Sequence, residues 1–273
     1  MPNRKWAVGS NQYVKRPNAQ RSGSDISLSM SSSAQMAECG ISWDLGQIDL
    51  DRIRQSTVER ATTRFRAAAP DFIWNAATME GNTYTLPEVR TLLDGVTVEG
   101  KRLDEQRQIL ALRDAFYLVN DRALDGSFRL DKATSDAVHA SVAQHEAIES
   151  GAFRGEGTVN SGGHVRLSHG GIYTAPQTNL PELYDVMLAH LDSLRDPREA
   201  ALAYFAAATH SQFYFDGNKR TARLMMSGHL LAHGYDAINI PYSRMFEFNT
   251  ALDRIFDTHD GTELMVFVAD CAD

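Results

Sequence analysis

QFYFDGNKRTAR, residues 212–223, combines three aromatic residues, an acid, a Gly-Asn turn and three cationic residues at the start of an apolar helix. A turn that enters a helix offers unpaired backbone N–H groups and the positive end of the helix dipole. Gly217 and Asn218 tolerate left-handed backbone, which points successive N–H groups at one oxygen. The stretch therefore predicts an anion site at this helix N-terminus.

The charged residues of the stretch indicate which anion it binds. Lys219 and Arg220 lie in the first helical turn, where cations oppose the dipole unless an anion is bound. Arg223 follows Arg220 by three residues, and paired guanidinium groups suit phosphate oxygens. Asp216 is better placed to hold Mg²⁺ that phosphates also ligate. A solvated turn before a basic helix would explain DGN alone, but the whole string favours a magnesium–polyphosphate site and hence a nucleotide.

The overall composition is that of a soluble globular protein, with 273 residues, 43% hydrophobic and 23% charged. The net charge of −8 argues against a nucleic-acid or anionic-membrane partner. Cys39 and Cys271 are far from any metal or disulfide spacing, which favours a reducing compartment. With no apolar run near the ~20 residues of a spanning helix and no secretory signal, we expect a cytoplasmic protein.

Three regions follow one another along the chain. The serine-rich residues 1–40 predict a flexible N-terminal arm, and the alternative is an arm that packs on the body through Trp6 and Tyr13. N-terminal helices are expected over 41–100 and a core domain over 101–273. Apolar periodicity predicts helices at 50–70, 71–80, 86–95, 103–123, 131–147, 179–195, 197–211, 219–233, 243–256 and 262–271.

Residues 151–176 interrupt this helical pattern with seven glycines and short β-like pieces. Such a composition predicts a β-hairpin or flap. The fold class that follows is all-α, a helical bundle with one short β-hairpin.

Residues 212–223 resemble the signature loop of the Fic (Fic/Doc, or Fido) proteins, His-x-Phe-x-Asp/Glu-Gly-Asn-Gly/Lys-Arg-x-x-Arg, with Tyr214 at the Phe position. The positions that match in register are Asp216, Gly217, Asn218, Lys219, Arg220 and Arg223. Three further segments are similar to the family: EGNTYTLPEVRTLLDG at 80–95, GGIYTAP at 170–176 and HLLAHGYDAINIP at 229–241. The resemblance covers residues 70–270.

The resemblance implies a Fic-type helical bundle with a β-hairpin flap. Its usual activity is transfer of AMP from ATP, with Mg²⁺, to a Ser, Thr or Tyr hydroxyl of a target protein. By the same resemblance Asp216 holds the metal, and the phosphates are bound by Gly217, Asn218, Lys219, Arg220 and Arg223. The flap residues Ile172, Tyr173 and Thr174 would align an unidentified target protein. The resemblance leaves a homodimer open.

The catalytic position departs from the family. Gln212 stands where the family has the His that takes the proton from the target hydroxyl. A neutral amide can accept a hydrogen bond but cannot take that proton near pH 7, and loss of a general base costs ~10²–10⁴ in rate. His210, two residues earlier on the helix, should face elsewhere. His164 and His169 in the flap remain more distant alternatives.

Glu80, in the segment ATMEGN, resembles the family's inhibitory motif, Ser/Thr-x-x-x-Glu-Gly/Asn. The resemblance implies that Glu80 pairs with Arg223 and denies that Arg to the γ-phosphate. Ala76 stands at the first motif position, so the anchoring hydroxyl is absent. An exposed Glu at a helix end is the plainer alternative.

Two functions from different classes remain. One is a slow or altered Fic-type transferase that uses ATP and Mg²⁺, since phosphoryl-type transfer draws much of its rate from positioning and electrostatics. The other is a catalytically inactive regulatory module that binds a nucleotide or another phosphorylated ligand. A DNA-binding helical protein conflicts with the net charge of −8.

Overall fold

The computed structural model describes residues 39–159 and 161–272. Within them the chain forms ten α-helices and one β-hairpin, which confirms the predicted fold class. The elements are α1 (Val58–Ala67), α2 (Ala69–Met79), α3 (Leu86–Leu93), α4 (Leu103–Leu124), α5 (Lys132–Val142), β1 (His164–Arg166), β2 (Ile172–Thr174), α6 (Leu180–Asp192), α7 (Pro197–Ser211), α8 (Asn218–Ala232), α9 (Met245–Thr258) and α10 (Thr262–Asp270). Short 3₁₀ turns occupy Leu45–Gln47, Leu50–Arg52 and Tyr242–Arg244.

Helices α7 and α8 form the centre of the bundle. Every residue of α7 from Glu199 to Ser211 is buried, and so is most of α8. The alanines of α7 favour the helix and are small enough for neighbours to pack on all its sides. The two helices pack against each other, and α8 also packs on α4 and α5. Residues 212–217 therefore join the two most buried helices of the described chain.

The first helix differs from its predicted limits. It begins at Val58 rather than near residue 50, because the Thr57 hydroxyl caps it by accepting from the Arg60 N–H at 3.3 Å. The preceding Leu50–Arg52 segment forms a 3₁₀ turn. Pro70 lies in the first turn of α2, where its missing N–H leaves no helical hydrogen bond unmade.

The end of α2 and the start of α3 agree with the sequence signals. Glu80 is the C-terminal cap of α2, and Gly81 follows with a left-handed φ of 87°. Thr85 and Glu88 then form a capping box at the start of α3, with the Thr85 N–H donating to Glu88 Oε2 at 2.7 Å. This turn places Glu80 beyond the last residue of α2.

The hairpin is a two-stranded antiparallel sheet in which Val165 pairs with Tyr173. Ile172 and Thr174 are exposed, whereas Tyr173 between them is partly buried. The connecting turn is attached to α9, since the Ser168 hydroxyl and N–H both donate to Asp253. The predicted flap is therefore a hairpin whose tip rests on α9.

Most of the predicted serine-rich arm lies outside the described residues. The described chain starts at Cys39, which is buried in the core. None of the helices in ranges 39–159 and 161–272 has the length and apolar character needed to cross a bilayer.

Candidate functional site

Gln212 ends α7 and turns the chain into the loop. Its backbone is left-handed, with φ 48° and ψ 54°, and its N–H donates to the Ala208 carbonyl at 3.2 Å. The side-chain Nε2 donates to the Thr209 carbonyl at 2.5 Å, and Oε1 accepts from Asn218 Nδ2 at 3.2 Å. Both ends of the amide therefore hydrogen-bond to the protein itself.

Asn218 holds the loop in shape. Its Oδ1 accepts from the Tyr214 N–H at 2.9 Å, and its Nδ2 donates to the Tyr214 carbonyl at 2.8 Å as well as to Gln212. With these bonds the side chain of Asn218 is committed to the loop. At this position the backbone N–H of Asn218, and not its side chain, would donate to a phosphate.

Tyr214, at the position of the family Phe, packs as a buried ring with a satisfied hydroxyl. The ring stacks on His139 with centroids 3.8 Å apart and planes 9° from parallel. The hydroxyl donates to Asp136 Oδ1 at 2.8 Å and lies 2.8 Å from the Ser135 hydroxyl. Helix α5 thus supplies both partners of this hydroxyl.

His139 of α5 holds the turn itself. The Gly151 N–H donates to Nδ1 at 2.9 Å, so the proton of the neutral ring lies on Nε2, which donates to the Asp216 carbonyl at 2.7 Å. Burial lowers the pKa of His139 to about 4. The imidazole is therefore neutral near pH 7 and fixes the backbone just before α8.

Asp216 presents its carboxylate to solvent, with 59% of the side chain exposed. Its Oδ1 accepts from the Gly217 N–H at 2.6 Å and lies 3.5 Å from Arg220 NH2. In the described ranges no group of three or more His, Cys, Asp or Glu side chains could hold a metal ion. Mg²⁺ at Asp216 would therefore take its other ligands from phosphate and water, as Mg²⁺ often does.

Gly217 is the N-cap of α8 and carries no side chain to cap the first helical amides. Its φ is 74°, and a Cβ would lie 3.3 Å from Ala143 Cβ. Only glycine adopts this left-handed backbone without strain in so narrow a space. The free N–H groups of the first turn of α8 are thus open to an anion.

Glu80 forms its ion pair with Lys219, at 3.2 Å between Oε1 and Nζ, instead of the expected Arg223. The two cations differ in burial. The side chains of Lys219 and Glu80 are both partly exposed, whereas Arg223 is only 3% exposed and contacts Met79. Burial raises the pKa of Glu80, but the charges of Lys219, Arg220 and Arg223 outweigh it and lower the pKa overall. Arg223 thus acts on Glu80 as a nearby charge.

Arg220 is paired with a carboxylate that the sequence did not indicate. Its NH1 and NH2 donate to the two oxygens of Glu146 at 3.0 and 2.6 Å, and its side chain is 3% exposed. This two-pronged geometry is the one that a phosphate would also use. The carboxylate of Glu146 thus pairs with Arg220, which is one of the residues expected to bind phosphate.

Arg223 is buried without a carboxylate contact of this kind. Its NH2 donates to Met79 Sδ at 3.2 Å, and the guanidinium lies 5.6 Å from the centre of the Phe248 ring. Nε and NH1 are buried and have no hydrogen-bond partner, and burial lowers the pKa of Arg223 to about 10. Buried donors of this kind are costly to leave unpaired, so they fit an anion such as a phosphate group.

The three histidines considered as replacement bases make hydrogen bonds elsewhere. His210 is 4% exposed, and its Nε2 lies 2.8 Å from His259 Nδ1 and 3.0 Å from the Tyr173 hydroxyl. Burial lowers the pKa of His210 to about 3. His169 contacts Asp257 at 3.0 Å, and His164 contacts the Thr174 hydroxyl at 3.2 Å. All of these partners lie outside residues 212–223.

Sequence reasoning missed His139, Glu146 and Met79. Glu146 is 74 residues from Arg220, and His139 is 77 residues from Asp216. No spacing rule links such distant positions, and only the packing of α5 on α8 brings them together. An isolated His on the apolar face of α5 was the single available signal.

Comparison with known proteins finds adenylyltransferases that resemble this chain in sequence. The chain is 29% identical over 237 residues to protein adenylyltransferase Fic of Drosophila willistoni, covering 84% of this chain and 46% of that protein. It is 30% identical over 236 residues to protein adenylyltransferase Fic of Drosophila virilis, covering 83% and 47%. No protein-family model matches the chain.

Among solved structures, a Fic domain containing signaling protein from Bacteroides thetaiotaomicron superposes with a TM-score of 0.63 at 17% identity, covering 88% of this chain and 91% of that one. At that identity the likeness concerns the fold. The chain spans about half the length of the two adenylyltransferases. In sequence the chain is therefore similar to the Fic adenylyltransferases, and in fold it is similar to a Fic domain protein.

Proposed function

We propose that this chain binds ATP with Mg²⁺ and transfers AMP slowly from ATP to a Ser, Thr or Tyr hydroxyl of a target protein. The observation that carries the proposal is the turn from Asp216 to Arg223. It combines open helix amides, a solvent-facing carboxylate and a buried guanidinium with two unpaired nitrogen atoms. The relatives are named protein adenylyltransferases, which supports the same chemistry.

Each residue of the turn has its own proposed role in nucleotide binding. The backbone at Gly217 and Asn218 would bind phosphate oxygens at the positive end of α8. Arg220 and Arg223 would supply guanidinium groups, and Lys219 a point charge at the rim. Asp216 would hold Mg²⁺, which when bound would neutralise charge on the phosphates.

The slow rate follows from Gln212. Its amide accepts from Asn218 and has no basic nitrogen, so the target hydroxyl would keep its proton until another group or water takes it. Positioning and charge stabilisation remain, and these supply most of the acceleration in phosphoryl-type transfer. The exposed residues Ile172 and Thr174 would hold the target chain against the flap by adding a strand to β2.

Glu80 is the proposed brake on this site. It neutralises Lys219 at the mouth of the turn and places a negative charge where a polyphosphate would lie. Its removal would free Lys219 and lower the repulsion of an incoming phosphate chain. The brake therefore regulates nucleotide binding first and transfer second.

The geometry of Gln212 favours a second candidate function. Because its amide bonds to Thr209 and Asn218, it stabilises the loop and is not free to meet a substrate. A loop of this kind suits a regulatory module that binds a nucleotide or another phosphorylated ligand without reaction. The two candidates share a binding site and differ in turnover and in the range of ligands.

The test is protein labelling from α-labelled ATP with Mg²⁺, using Glu80→Gly alone and together with Gln212→His. Asp216→Ala in each background is the control, since it removes the metal ligand. Label with Glu80→Gly alone supports the transferase. Labelling in the double variant alone supports the binding module. Absence of labelling in both variants contradicts ATP as the ligand.

Two expectations from the sequence stay predictions beside this proposal. They are a cytoplasmic location and the homodimer that the resemblance leaves open. Neither enters the assignment of the site, which lies within one chain.

A further inference from the structure

Arg154 lies between the flap and the loop, in a segment that the proposed chemistry does not use. It is 4% exposed, and its side-chain hydrogen bonds go to two backbone carbonyls. Nε donates to the Gln212 carbonyl at 2.6 Å, and NH2 donates to the Pro176 carbonyl at 2.7 Å. Its own N–H donates to the Phe213 carbonyl at 2.9 Å. One side chain thus joins the start of the loop to the second residue after β2.

The other end of the flap also rests on this guanidinium. A Cβ on Gly163, just before β1, would lie 2.5 Å from Arg154 Cζ, which is closer than carbon atoms can approach. The Gly163 carbonyl in turn accepts from the Ala175 N–H at 2.9 Å. Both ends of the hairpin and the first residues of the loop therefore meet at Arg154.

The choice of residue is informative because a buried cation is costly. Burial lowers the pKa of Arg154, so the charged form is held there at an energetic cost. A planar guanidinium can donate to two carbonyls in fixed directions at once, whereas lysine offers a single flexible nitrogen. The Gln212 carbonyl belongs to a left-handed residue at the end of α7, so its position depends on this outside donor.

We propose that Arg154 is a positioning residue that couples the flap to the Gln212 corner of the phosphate loop. Movement of either end of the hairpin displaces the guanidinium, and the guanidinium displaces the Gln212 carbonyl. A target chain that binds along β2 would in this way adjust the loop that holds the nucleotide. The contacts of Arg154 support the structural coupling by themselves. The role of this coupling in AMP transfer rests on the proposed function.

The experiment is hydrogen–deuterium exchange on the full chain without nucleotide, so its result does not depend on ATP binding. Gly163→Ala introduces a methyl group against the guanidinium, and Gly170→Ala is the matched control. Both glycines have positive φ, at 71° and 92°, but a Cβ on Gly170 meets nothing within 4 Å. The strain of an alanine at positive φ is therefore common to both variants, and only one of them touches Arg154.

Gly163→Ala should speed exchange about tenfold in peptides that cover 210–218, far from the altered residue in sequence, as expected for loss of a charge-assisted hydrogen bond. Gly170→Ala should leave those peptides unchanged. Exchange in α4 serves as the check that the fold is intact. Acceleration confined to 162–176 in Gly163→Ala would overturn the coupling.

A double-variant cycle gives an independent result. Arg154→Met shortens the side chain and removes its two donors, which leaves room for the added methyl group. Exchange in 210–218 should then be the same for Arg154→Met with and without Gly163→Ala. Additive effects of the two changes would overturn the proposal, and if Arg154→Met does not fold, the two glycine variants still decide it.

Discussion

At the scale of single residues, the side chain of Gln212 is the feature on which the two candidate functions differ. The family resemblance leads us to expect a proton acceptor at this position, and the structure has an amide that bridges Thr209 and Asn218. The observed role of this side chain is to stabilise the loop. Residues elsewhere in the loop keep the types that phosphate binding requires.

The structural role of Gln212 predicts a measurable loss of stability. Gln212→Ala removes the side-chain donor to the Thr209 carbonyl and one of the two acceptors of Asn218 Nδ2, and should lower the free energy of unfolding by about 1–2 kcal/mol. Urea unfolding measures the difference. Gln47→Ala is the control, since the Gln47 amide bonds only to Asp44 at the surface and should change little. An unchanged midpoint for Gln212→Ala would show that the amide is not part of the structure.

At the scale of elements, the start of α8 combines features that oppose one another. Lys219 and Arg220 lie at the positive end of the helix, and each is neutralised by a carboxylate from another element. Glu80 comes from the end of α2 and Glu146 from the segment after α5. In the proposed function both carboxylates would compete with phosphate oxygens for these cations, so affinity for an anion would depend on three elements.

This arrangement predicts the route by which Glu80 acts. Glu80→Gln should tighten ATP binding up to about fivefold in titration calorimetry, because a partly exposed ion pair is worth up to about 1 kcal/mol. In a Lys219→Ala background the gain should shrink to the part that comes from lower repulsion of the phosphates. Glu247→Gln, which breaks a pair with Arg244, is the control. A gain that stays at its full size without Lys219 would show that the brake does not act through the Glu80–Lys219 pair.

The sequence predicted the parts of this site that are local in the chain. The turn before α8, the start of α3 and the hairpin each have short-range signals, and all lie within the predicted segments. The partners of Glu80, Arg220 and Asp216 could not be predicted, because packing of α2 and α5 on α8 sets them. The start of α1 was wrong for a related reason: Leu50 and Ile53 share an apolar spacing with Val58, but Thr57 caps the helix between them.

At the scale of the whole molecule, buried histidines link the stability of the fold to pH. Burial lowers the pKa of His139 to about 4, and those of His210 and His229 to about 3. The ordinary value near 6.5 applies once the chain unfolds. Between these values the unfolded chain binds more protons than the folded one, so stability rises with pH across that window. The stabilisation is complete above pH 6.5 and is lost as the solution becomes more acidic.

The expected size of the effect can be tested on one residue of the site. From pH 6.5 to 4.5 each such histidine should remove about 2 kcal/mol from the free energy of unfolding, since one pKa unit is worth about 1.4 kcal/mol. Urea unfolding of the full chain across this range measures the total. His139→Gln keeps a side-chain amide near the Asp216 carbonyl but cannot titrate. Its free energy of unfolding should therefore fall by about 2 kcal/mol less than that of the parent chain over this pH range. Because carboxylates with lowered pKa, such as Glu88 at about 2, act mainly below this window, they do not mask the difference. Equal losses for His139→Gln and the parent chain would mean that His139 is not held neutral, and that the turn before α8 is less enclosed than its contacts indicate.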